Sequence, residues 1–224
     1  MIMTMLKYTT IIFDLDGTLM NTLDDLTIST NHALSQMGLP TRTIDEVRQF
    51  LGNGVRKLIE MAVPENTSED MIERVITCFL QHYTTHCKDH SKPYDGILSL
   101  LSSLKSMGCR MAIVSNKPDI EVKKLNSEHF AEYIDVALGE NEKSGIPRKP
   151  SPAMVFEAIA QLGSEPEQCL YVGDSDVDIL TARNAGIDCL SVTWGFKTAE
   201  FLSQFGATRM IDSPSEMLDV IKEG

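Results

Sequence analysis

The segment Ile11-Ile12-Phe13-Asp14-Leu15-Asp16-Gly17-Thr18 joins a short apolar run to two aspartates that lie two residues apart. The apolar run predicts a buried β-strand, and aspartate is both unfavourable in a strand and costly to bury. A bound cation would compensate for the two carboxylates, so the segment indicates a metal-assisted reaction at Asp14 and Asp16. Two plainer interpretations are a capped turn and a calcium loop. An EF-hand loop beginning at Asp14 would need glycine where Leu19 stands.

Short apolar runs recur along the chain and alternate with helical patterns. Continuous apolar runs separated by helices are typical of a parallel sheet that is covered on both faces, which predicts an α/β fold. In such a sheet, ligands lie beyond the carboxyl ends of the strands. The runs predicted as strands are Ile11–Phe13, Arg110–Val114, Ile134–Leu138, Leu170–Val172 and Cys189–Thr193, with a weaker one at Thr208–Ile211.

Residues 21–90 differ from the rest of the chain because their apolar positions follow helical spacing, with no strand pattern between them. We therefore predict a helical cap domain over residues 21–90, inserted into a discontinuous core domain formed by residues 1–20 and 91–224. The hinges are expected at Leu19–Thr22 and Ser91–Tyr94. An insert that leaves directly after the first strand would cover the strand ends like a lid.

The composition limits the partners and the compartment. The chain has 224 residues and a formal net charge of −12, which argues against a sequence-independent nucleic-acid surface and against attraction to anionic lipid. Its five cysteines show no zinc-ligand spacing, so reduced thiols are expected. From the interrupted apolar pattern of the first ten residues and the lack of a long apolar run, we expect neither a signal peptide nor a bilayer-spanning segment. We expect a cytoplasmic protein, monomeric or homodimeric, that acts on a small molecule and binds neither nucleic acid nor membrane.

A second acidic cluster, Gly173-Asp174-Ser175-Asp176-Val177-Asp178, also follows an apolar run. Asp174, at the strand end, is placed to complete an oxygen shell around the same cation, and Asp178, one helical turn later, to orient a metal-bound water. Asp176 points elsewhere on a helix and fits a first-turn position that the helix dipole favours. The alternative is an acidic cluster that caps a helix without any metal.

Two further segments bring phosphate-binding groups to the same predicted edge. Ser115-Asn116 closes the second predicted strand, where a hydroxyl and the backbone N–H groups of a following helical turn can hold phosphate oxygens; ordinary capping is the alternative. Lys149 lies close to Pro150 and Pro152, which restrict the backbone around it. A lysine held in this way can neutralise a nucleophile and an incoming phosphate, whereas a lone loop lysine is usually a solvated charge.

These groups together favour phosphoryl transfer. A carboxylate can attack phosphorus and form an aspartyl-phosphate, which makes Asp14 the predicted nucleophile. Asp16 is then placed to protonate the leaving oxygen and afterwards to activate water. A Mg²⁺ ion between Asp14 and a phosphate oxygen would supply positioning and charge neutralisation.

The motifs resemble those of the haloacid dehalogenase-like phosphatase superfamily, which are a D-x-D-G-T loop, a Ser or Thr strand end, a Lys and a G-D-x-x-x-D loop. All four occur in this order, and the resemblance covers essentially the whole chain. It implies a Rossmann-like core, Mg²⁺, an aspartyl-phosphate intermediate and metal binding by Asp16 through its backbone carbonyl. The assigned residues are Asp14, Asp16 and Lys149 for catalysis, Thr18, Ser115, Asn116 and Lys149 for phosphate binding, and Asp14, Asp16, Asp174 and Asp178 for the metal.

The stretch Gly52-Asn53-Gly54 inside the predicted cap has two compatible interpretations. One is a helix end followed by a new helix, and the other is a loop that offers backbone N–H groups to an anionic substrate tail. With Asn21-Thr22 and Trp194-Gly195, the stretch is similar to phosphoglycolate phosphatases. The resemblance implies 2-phosphoglycolate as substrate and Gly52, Asn53 and Gly54 as specificity residues, with Arg56 or Lys57 as helpers. Departures from these relatives are Tyr94 before Asp95-Gly96, where they commonly have proline before glycine, and Thr181 in place of a small alanine.

The sequence motifs are also compatible with other functions. A pyrophosphatase, or a sugar-phosphate phosphatase or mutase, would use the same core with a different cap loop. A phosphonate hydrolase would need a cap lysine, for which Lys57 is a candidate. Outside enzymes, the same acidic motifs would suit a phospho-acceptor or calcium-binding signalling domain.

Overall fold

The main element of the structure is a six-stranded parallel sheet with strand order β5-β4-β1-β6-β7-β8. The computed structural model describes residues 6–141 and 145–222. The α/β class is confirmed, and each of the six runs predicted as strands overlaps a strand of this sheet. The strands are β1 (Thr10–Phe13), β2 (Met20–Asn21), β3 (Lys92–Pro93), β4 (Arg110–Pro118), β5 (Val136–Glu140), β6 (Cys169–Gly173), β7 (Asp188–Val192) and β8 (Met210–Ile211).

Helices flank both faces of the sheet and form the insert between β2 and β3. The insert contains α1 to α4, and six further α-helices follow in the described part of the core. In chain order they are α1 (Leu23–Gln36), α2 (Ile44–Phe50), α3 (Gly54–Ala62), α4 (Glu69–His86), α5 (Ile97–Ser106), α6 (Asp119–Leu125), α7 (Ala153–Leu162), α8 (Asp176–Ala185), α9 (Ala199–Gln204) and α10 (Met217–Val220).

Both faces of the sheet are buried, which explains why the strands read as continuous apolar runs. On one face, Ile11 and Phe13 of β1 pack with apolar residues of α5 and of the C-terminal segment. On the other face, Ile12 of β1 and Tyr171 of β6 pack against α7 and α8. Because neither face of such a strand meets solvent, apolar and polar residues do not alternate along it.

The insert has a hydrophobic core of its own. Leu34 of α1, Val47 of α2, Ile59 of α3 and Phe79 of α4 are fully buried in it. The chain enters the insert through β2 and returns through β3, and these two short strands pair antiparallel. The domain limits at 20/21 and 90/91 stay predictions. No helix within residues 6–141 and 145–222 is long and apolar enough to cross a membrane.

Several strand ends differ from the predicted runs: β5, for example, is Val136–Glu140 rather than Ile134–Leu138, and β4 is longer than predicted. Strand β4 continues to Pro118, but its regular pairing with β5 stops at Val114 and resumes only at Pro118. Ser115, Asn116 and Lys117 therefore lie in an irregular stretch of strand at the carboxyl edge. Helix α7 begins at Ala153, directly after a turn in which the Ser151 N–H donates to the Arg148 carbonyl.

Candidate active site

Three polar side chains meet at the carboxyl ends of the three central strands. Asp14 follows β1, Ser115 lies near the end of β4, and Asp174 follows β6. Because β4, β1 and β6 are neighbours in the sheet, these residues line one cavity under the helical insert. The cavity has a volume of about 600 Å³, including the part open to solvent. The predicted convergence of these groups on one sheet edge is thus observed.

A cluster of three buried carboxylates lies at the floor of this site. Asp14, Asp174 and Asp178 each offer an oxygen, and the three oxygens lie within 4.8 Å of one another. Burial, together with repulsion from Asp178, raises the pKa of Asp14 to about 7 against the opposing effect of Lys149. Burial and the same repulsion also raise the pKa of Asp174. Hard oxygen donors with too little neighbouring positive charge fit a divalent cation such as Mg²⁺.

Lys149 is the cation built into this cluster. Its buried ammonium lies 2.9 Å from Asp14 Oδ1 and 2.8 Å from Asp178 Oδ1, and it donates to the Tyr171 hydroxyl at 3.0 Å. Burial acts to lower the pKa of Lys149, but the two carboxylates outweigh it and raise that pKa. Lys149 therefore stays charged, and it holds the orientation of the Asp14 carboxylate.

The side chain of Asn116 holds the Lys149 backbone. Asn116 Oδ1 accepts from the Lys149 N–H at 2.8 Å, and Asn116 Nδ2 donates to the Lys149 carbonyl at 3.0 Å. The same Nδ2 donates to the Gly52 carbonyl of the insert at 3.3 Å. Asn116 was expected to bind phosphate, but its side-chain amide forms hydrogen bonds with the backbone of Lys149 and Gly52.

Asp178 uses both carboxylate oxygens in contacts with its neighbours. Oδ1 accepts from Lys149 and from the Tyr171 hydroxyl, while Oδ2 accepts from the Ser175 N–H at 3.0 Å and the Ser175 hydroxyl at 2.6 Å. Ser175 and Asp178 form a capping box at the start of α8. These contacts identify Asp178 as an anchor for Lys149 as well as a member of the acidic cluster.

Asp174 is held by the loop that follows β7. Its Oδ2 accepts from the Phe196 N–H at 2.7 Å, and its Oδ1 accepts from the Thr18 hydroxyl at 3.3 Å. A Cβ atom at Gly195 would lie 2.3 Å from the Asp174 Cβ, and one at Gly17, whose φ is +86°, would lie 2.3 Å from Asp174 Oδ2. Two glycines therefore let the backbone approach this carboxylate closely.

Asp16 turns its carboxylate away from the acidic cluster. Its Oδ1 accepts from the Thr22 hydroxyl at 2.7 Å, and Lys117 Nζ lies 2.9 Å from Oδ1 and 3.2 Å from Oδ2. Lys117 also bonds to the hydroxyl of Tyr83, which belongs to α4 of the insert. Burial acts to lower the pKa of Lys117, but Asp16 and Tyr83 outweigh it and raise that pKa.

Lys117 was missed by the sequence reasoning. The one feature of the sequence that could have identified Lys117 as a site residue is its position directly after Ser115-Asn116 at a strand end. Its side chain is only 1% exposed, so the ion pair with Asp16 is largely desolvated. Such a pair depends strongly on both partners, because removing one leaves a buried charge without compensation.

The glycine-containing loop of the insert lies at the cavity, but its two basic neighbours do not. Gly52 and Gly54 line the cavity. Arg56 instead lies 2.8 Å from Glu69 on the outer surface of the insert, and Lys57 lies 3.4 Å from Glu60. The expected help from Arg56 or Lys57 in binding an anion at this cavity therefore finds no support.

Comparison with known proteins agrees with this geometry. A family model described as haloacid dehalogenase-like hydrolase matches residues 11–192. A phosphoglycolate phosphatase from Colwellia psychrerythraea is 33% identical over 219 residues, covering 95% of this chain and 96% of that protein. An N-acetylmuramic acid 6-phosphate phosphatase from Pseudomonas aeruginosa is 32% identical, covering 94% of this chain and 93% of that protein.

A solved structure shows the same fold over almost the whole chain. The crystal structure of a candidate phosphoglycolate phosphatase from Lactobacillus delbrueckii subsp. bulgaricus superposes with a TM-score of 0.91 at 36% identity. The match covers 97% of this chain and 100% of that one. The sheet and the insert therefore recur together in a relative.

Proposed function

The chain belongs to the haloacid dehalogenase-like hydrolase family, and we propose that it is a Mg²⁺-dependent phosphatase that converts 2-phosphoglycolate to glycolate and phosphate. The observation that carries this proposal is the position of Asp14. Its carboxylate lies between a buried acidic cluster and the ammonium of Lys149, two residues before a second aspartate that has a separate set of partners. Phosphatase relatives that align over nearly the whole chain support it.

The donor set fits Mg²⁺, and we propose Asp14 and Asp174 as side-chain ligands with Asp16 contributing its backbone carbonyl. When bound, Mg²⁺ supplies positive charge that orients the phosphoryl group and neutralises its oxygens. Asp178 belongs to the same cluster, but both of its oxygens already accept hydrogen bonds from Lys149, Tyr171 or Ser175. Its proposed role is therefore to hold the Lys149 ammonium next to Asp14.

Asp14 is proposed as the nucleophile. Its Oδ1 accepts from the Leu15 N–H at 2.7 Å and faces Lys149, which fixes the carboxylate plane. One carboxylate oxygen forms a bond to phosphorus while the bond from phosphorus to the glycolate oxygen breaks. Water then attacks phosphorus, the bond to Asp14 breaks, and the carboxylate is restored with release of phosphate.

Asp16 is proposed to move the protons of both steps. It gives a proton to the departing glycolate oxygen and later takes one from the attacking water. Its hydrogen bonds to Thr22 and Lys117 hold it apart from the Asp14 cluster. Lys117 is thus proposed as a positioning residue for Asp16, and Tyr83 connects this pair to the helical insert.

The incoming phosphate would be held by groups from the core. Ser115 lies on the cavity wall with its hydroxyl 3.3 Å from the Lys117 N–H, and the Lys149 ammonium faces Asp14. We assign phosphate binding to the side chains of Ser115 and Lys149. The side chains of Thr18 and Asn116 already have partners in the protein, so we assign only the backbone groups near these two residues as further phosphate contacts.

The helical insert is proposed to act as a lid. Leu26, Leu51, Val55 and Leu58 give the cavity an apolar wall opposite the aspartates. An apolar wall excludes water and strengthens the electrostatic interactions beneath it. Opening and closing of this lid would then admit the substrate and release the products.

The test is a phosphate-release assay on a panel of small phosphate esters, with MgCl₂ and with EDTA. We expect multiple turnovers that require Mg²⁺, with the highest kcat/KM for 2-phosphoglycolate. A preference for pyrophosphate or for a sugar phosphate would replace the proposed substrate. Stoichiometric, single phosphorylation of Asp14 without turnover would instead support a phospho-acceptor domain.

A further inference from the structure

The cavity contains a lysine whose charge the proposed mechanism does not use. Of the described residues that line the cavity, two are cationic, Lys117 and Lys197. Lys117 is paired with Asp16. Lys197 forms no ion pair within 4.0 Å with any carboxylate in residues 6–141 and 145–222. Lys197 therefore brings to the cavity a positive charge that has no direct ion-pair partner among the described residues.

The surroundings of Lys197 position its ammonium at the junction of the core and the insert. Its Nζ donates to the carbonyl of Gln49 at 2.9 Å, and it lies 5.5 Å from the centre of the Phe201 ring. Gln49 belongs to α2, three residues before Gly52 of the cavity loop. The preceding residue, Phe196, donates its N–H to Asp174. Lys197 thus directly follows a residue that holds Asp174, and its own side chain contacts the insert.

The ammonium also has capacity for a further ligand. A lysine ammonium has three N–H donors, and the Gln49 carbonyl and the Phe201 ring face leave one of them available. Burial, opposed only in part by Asp176 and Asp174, lowers the pKa of Lys197, which indicates that the charge is poorly solvated. A poorly solvated cation gains from an anionic partner more than an exposed one does.

We propose that Lys197 binds the carboxylate of the substrate and so selects an anionic leaving group. This inference rests on the proposed function, because it concerns the part of 2-phosphoglycolate that is not transferred. The other basic side chains near the insert loop already have acidic partners, which are Asp45 for Arg48, Glu69 for Arg56, Glu60 for Lys57 and, at 3.9 Å, Glu140 for Arg148.

The character of the rest of the cavity explains why one charge would decide specificity. The wall formed by Leu26, Leu51, Val55 and Leu58 offers no side-chain hydrogen bond to a carboxylate. Lys197 would therefore supply the charge, and the Gly52–Gly54 loop would add at most backbone N–H groups. A neutral leaving group of similar size would lose the contact with Lys197 and keep the contacts to phosphate.

The first experiment compares Lys197→Gln with Lys197→Arg on two substrates, 2-phosphoglycolate and ethyl phosphate, which lacks the carboxylate. For Lys197→Gln we expect the ratio of the two kcat/KM values to fall roughly 10- to 100-fold, mainly through KM for 2-phosphoglycolate, because a charged hydrogen bond is lost. Lys197→Arg keeps the charge and should keep most of the ratio. Lys57→Gln, a surface lysine on the insert, is the matched control and should leave the ratio unchanged.

The second experiment measures binding without turnover, by calorimetry with MgCl₂ present. The probes are 3-phosphonopropionate, which carries a carboxylate, and propylphosphonate, which does not. The wild-type protein should prefer the first, and Lys197→Gln should abolish the preference. Equal affinity of the wild-type protein for both probes, or a ratio of kcat/KM that Lys197→Gln does not change, would overturn the inference. Loss of turnover with an intact binding preference would contradict only the proposed phosphatase function.

Discussion

The ammonium of Lys117 lies within 3.2 Å of both carboxylate oxygens of Asp16, although 101 residues separate them in the chain. Lys117 is on the central strand β4, and Asp16 is in the loop after the neighbouring strand β1. The hydroxyl of Tyr83 from the insert bonds to the same ammonium. The orientation of the proposed acid–base residue therefore depends on a core lysine and on a tyrosine of the insert.

Replacing Lys117 with methionine should lower kcat by about 100-fold, because a mispositioned acid–base group loses most of its contribution. KM for 2-phosphoglycolate should change less than kcat. Lys117→Arg should recover part of kcat, since it restores the charge. Tyr83→Phe keeps the ring and removes only the hydroxyl, so a smaller decrease is expected. Steady-state kinetics on the three variants test this, and unchanged kcat in Lys117→Met would remove the positioning role.

Replacing Asp14 with asparagine should abolish phosphate release while the fold is retained. The side chain keeps its shape but loses the charge that attacks phosphorus. Without metal, the variant should be at least as resistant to thermal unfolding as the wild-type protein, because one of three clustered buried carboxylates is gone. Near-wild-type turnover by Asp14→Asn would show that another group is the nucleophile.

Much of this site could be predicted from the sequence because its strands are apolar runs and its aspartates follow them directly. Asp14 and Asp174 are unusual residues in such positions, and parallel strands bring their carboxyl ends to one edge. Lys197 is different, because nothing local distinguishes it from a solvated lysine, and the one local feature of Lys117 is its position directly after Ser115-Asn116. Their roles depend on Asp16 and on the Gln49 carbonyl, which only the folded chain brings close.

The hydrogen-bond and ion-pair partners of several side chains could not be predicted from the sequence either. Thr18 and Asn116 have the residue types expected for phosphate binding, yet their side chains bond to Asp174 and to the Lys149 backbone. Arg56 has the charge expected for a carboxylate-binding helper, yet it faces glutamates on the outside of α3. Residue type limited the possible chemistry, and the direction of each side chain decided between possibilities.

Metal-free protein should become less stable as the pH rises through about 7. The raised pKa of Asp14 means that the fold favours its protonated form, so its stabilising contribution is complete below the ordinary pKa of 3.8 and is lost above about 7. The raised pKa of Asp174 acts in the same direction. Mg²⁺ binds the ionised carboxylates, so the increase in Tm caused by MgCl₂ should be larger at about pH 8 than at about pH 6.

Thermal unfolding in EDTA and in MgCl₂ across this pH range checks the metal dependence. Asp14→Asn is the control and should lose much of the pH dependence of the MgCl₂ effect. An increase in Tm that is equal at both pH values in the wild-type protein would contradict competition between protons and metal at this cluster.

A bulky residue at Gly54 should reduce activity on 2-phosphoglycolate more than activity on p-nitrophenyl phosphate. Gly54 begins α3 with φ +78°, and an added Cβ would lie 3.2 Å from Glu140 Oε2 and 3.5 Å from the Asn116 carbonyl. The substitution would displace the loop at the wall of the cavity while leaving Asp14 and Asp16 in place. Equal losses on both substrates would remove the specificity role proposed for Gly52–Gly54.

Replacing Gly195 with alanine should impair the metal site from outside the acidic motifs. The added Cβ would meet the Asp174 Cβ at 2.3 Å, Asp174 Oδ2 at 2.4 Å and the Gly17 carbonyl at 2.5 Å, and two of these three atoms cannot move by a simple side-chain rotation. Overpacking of this kind costs about 1–3 kcal/mol of stability, and the displaced Asp174 should also weaken Mg²⁺ binding.

Gly186→Ala is the matched control for this substitution, because Gly186 has a positive φ of +70° but open space around it. It should lower Tm through backbone strain alone and leave the apparent Kd for Mg²⁺ unchanged. Titration of activity with MgCl₂ separates the two variants. If Gly195→Ala retained the wild-type Mg²⁺ dependence, the loop after β7 would have moved without carrying Asp174, and its proposed hold on that carboxylate through the Phe196 N–H would be wrong.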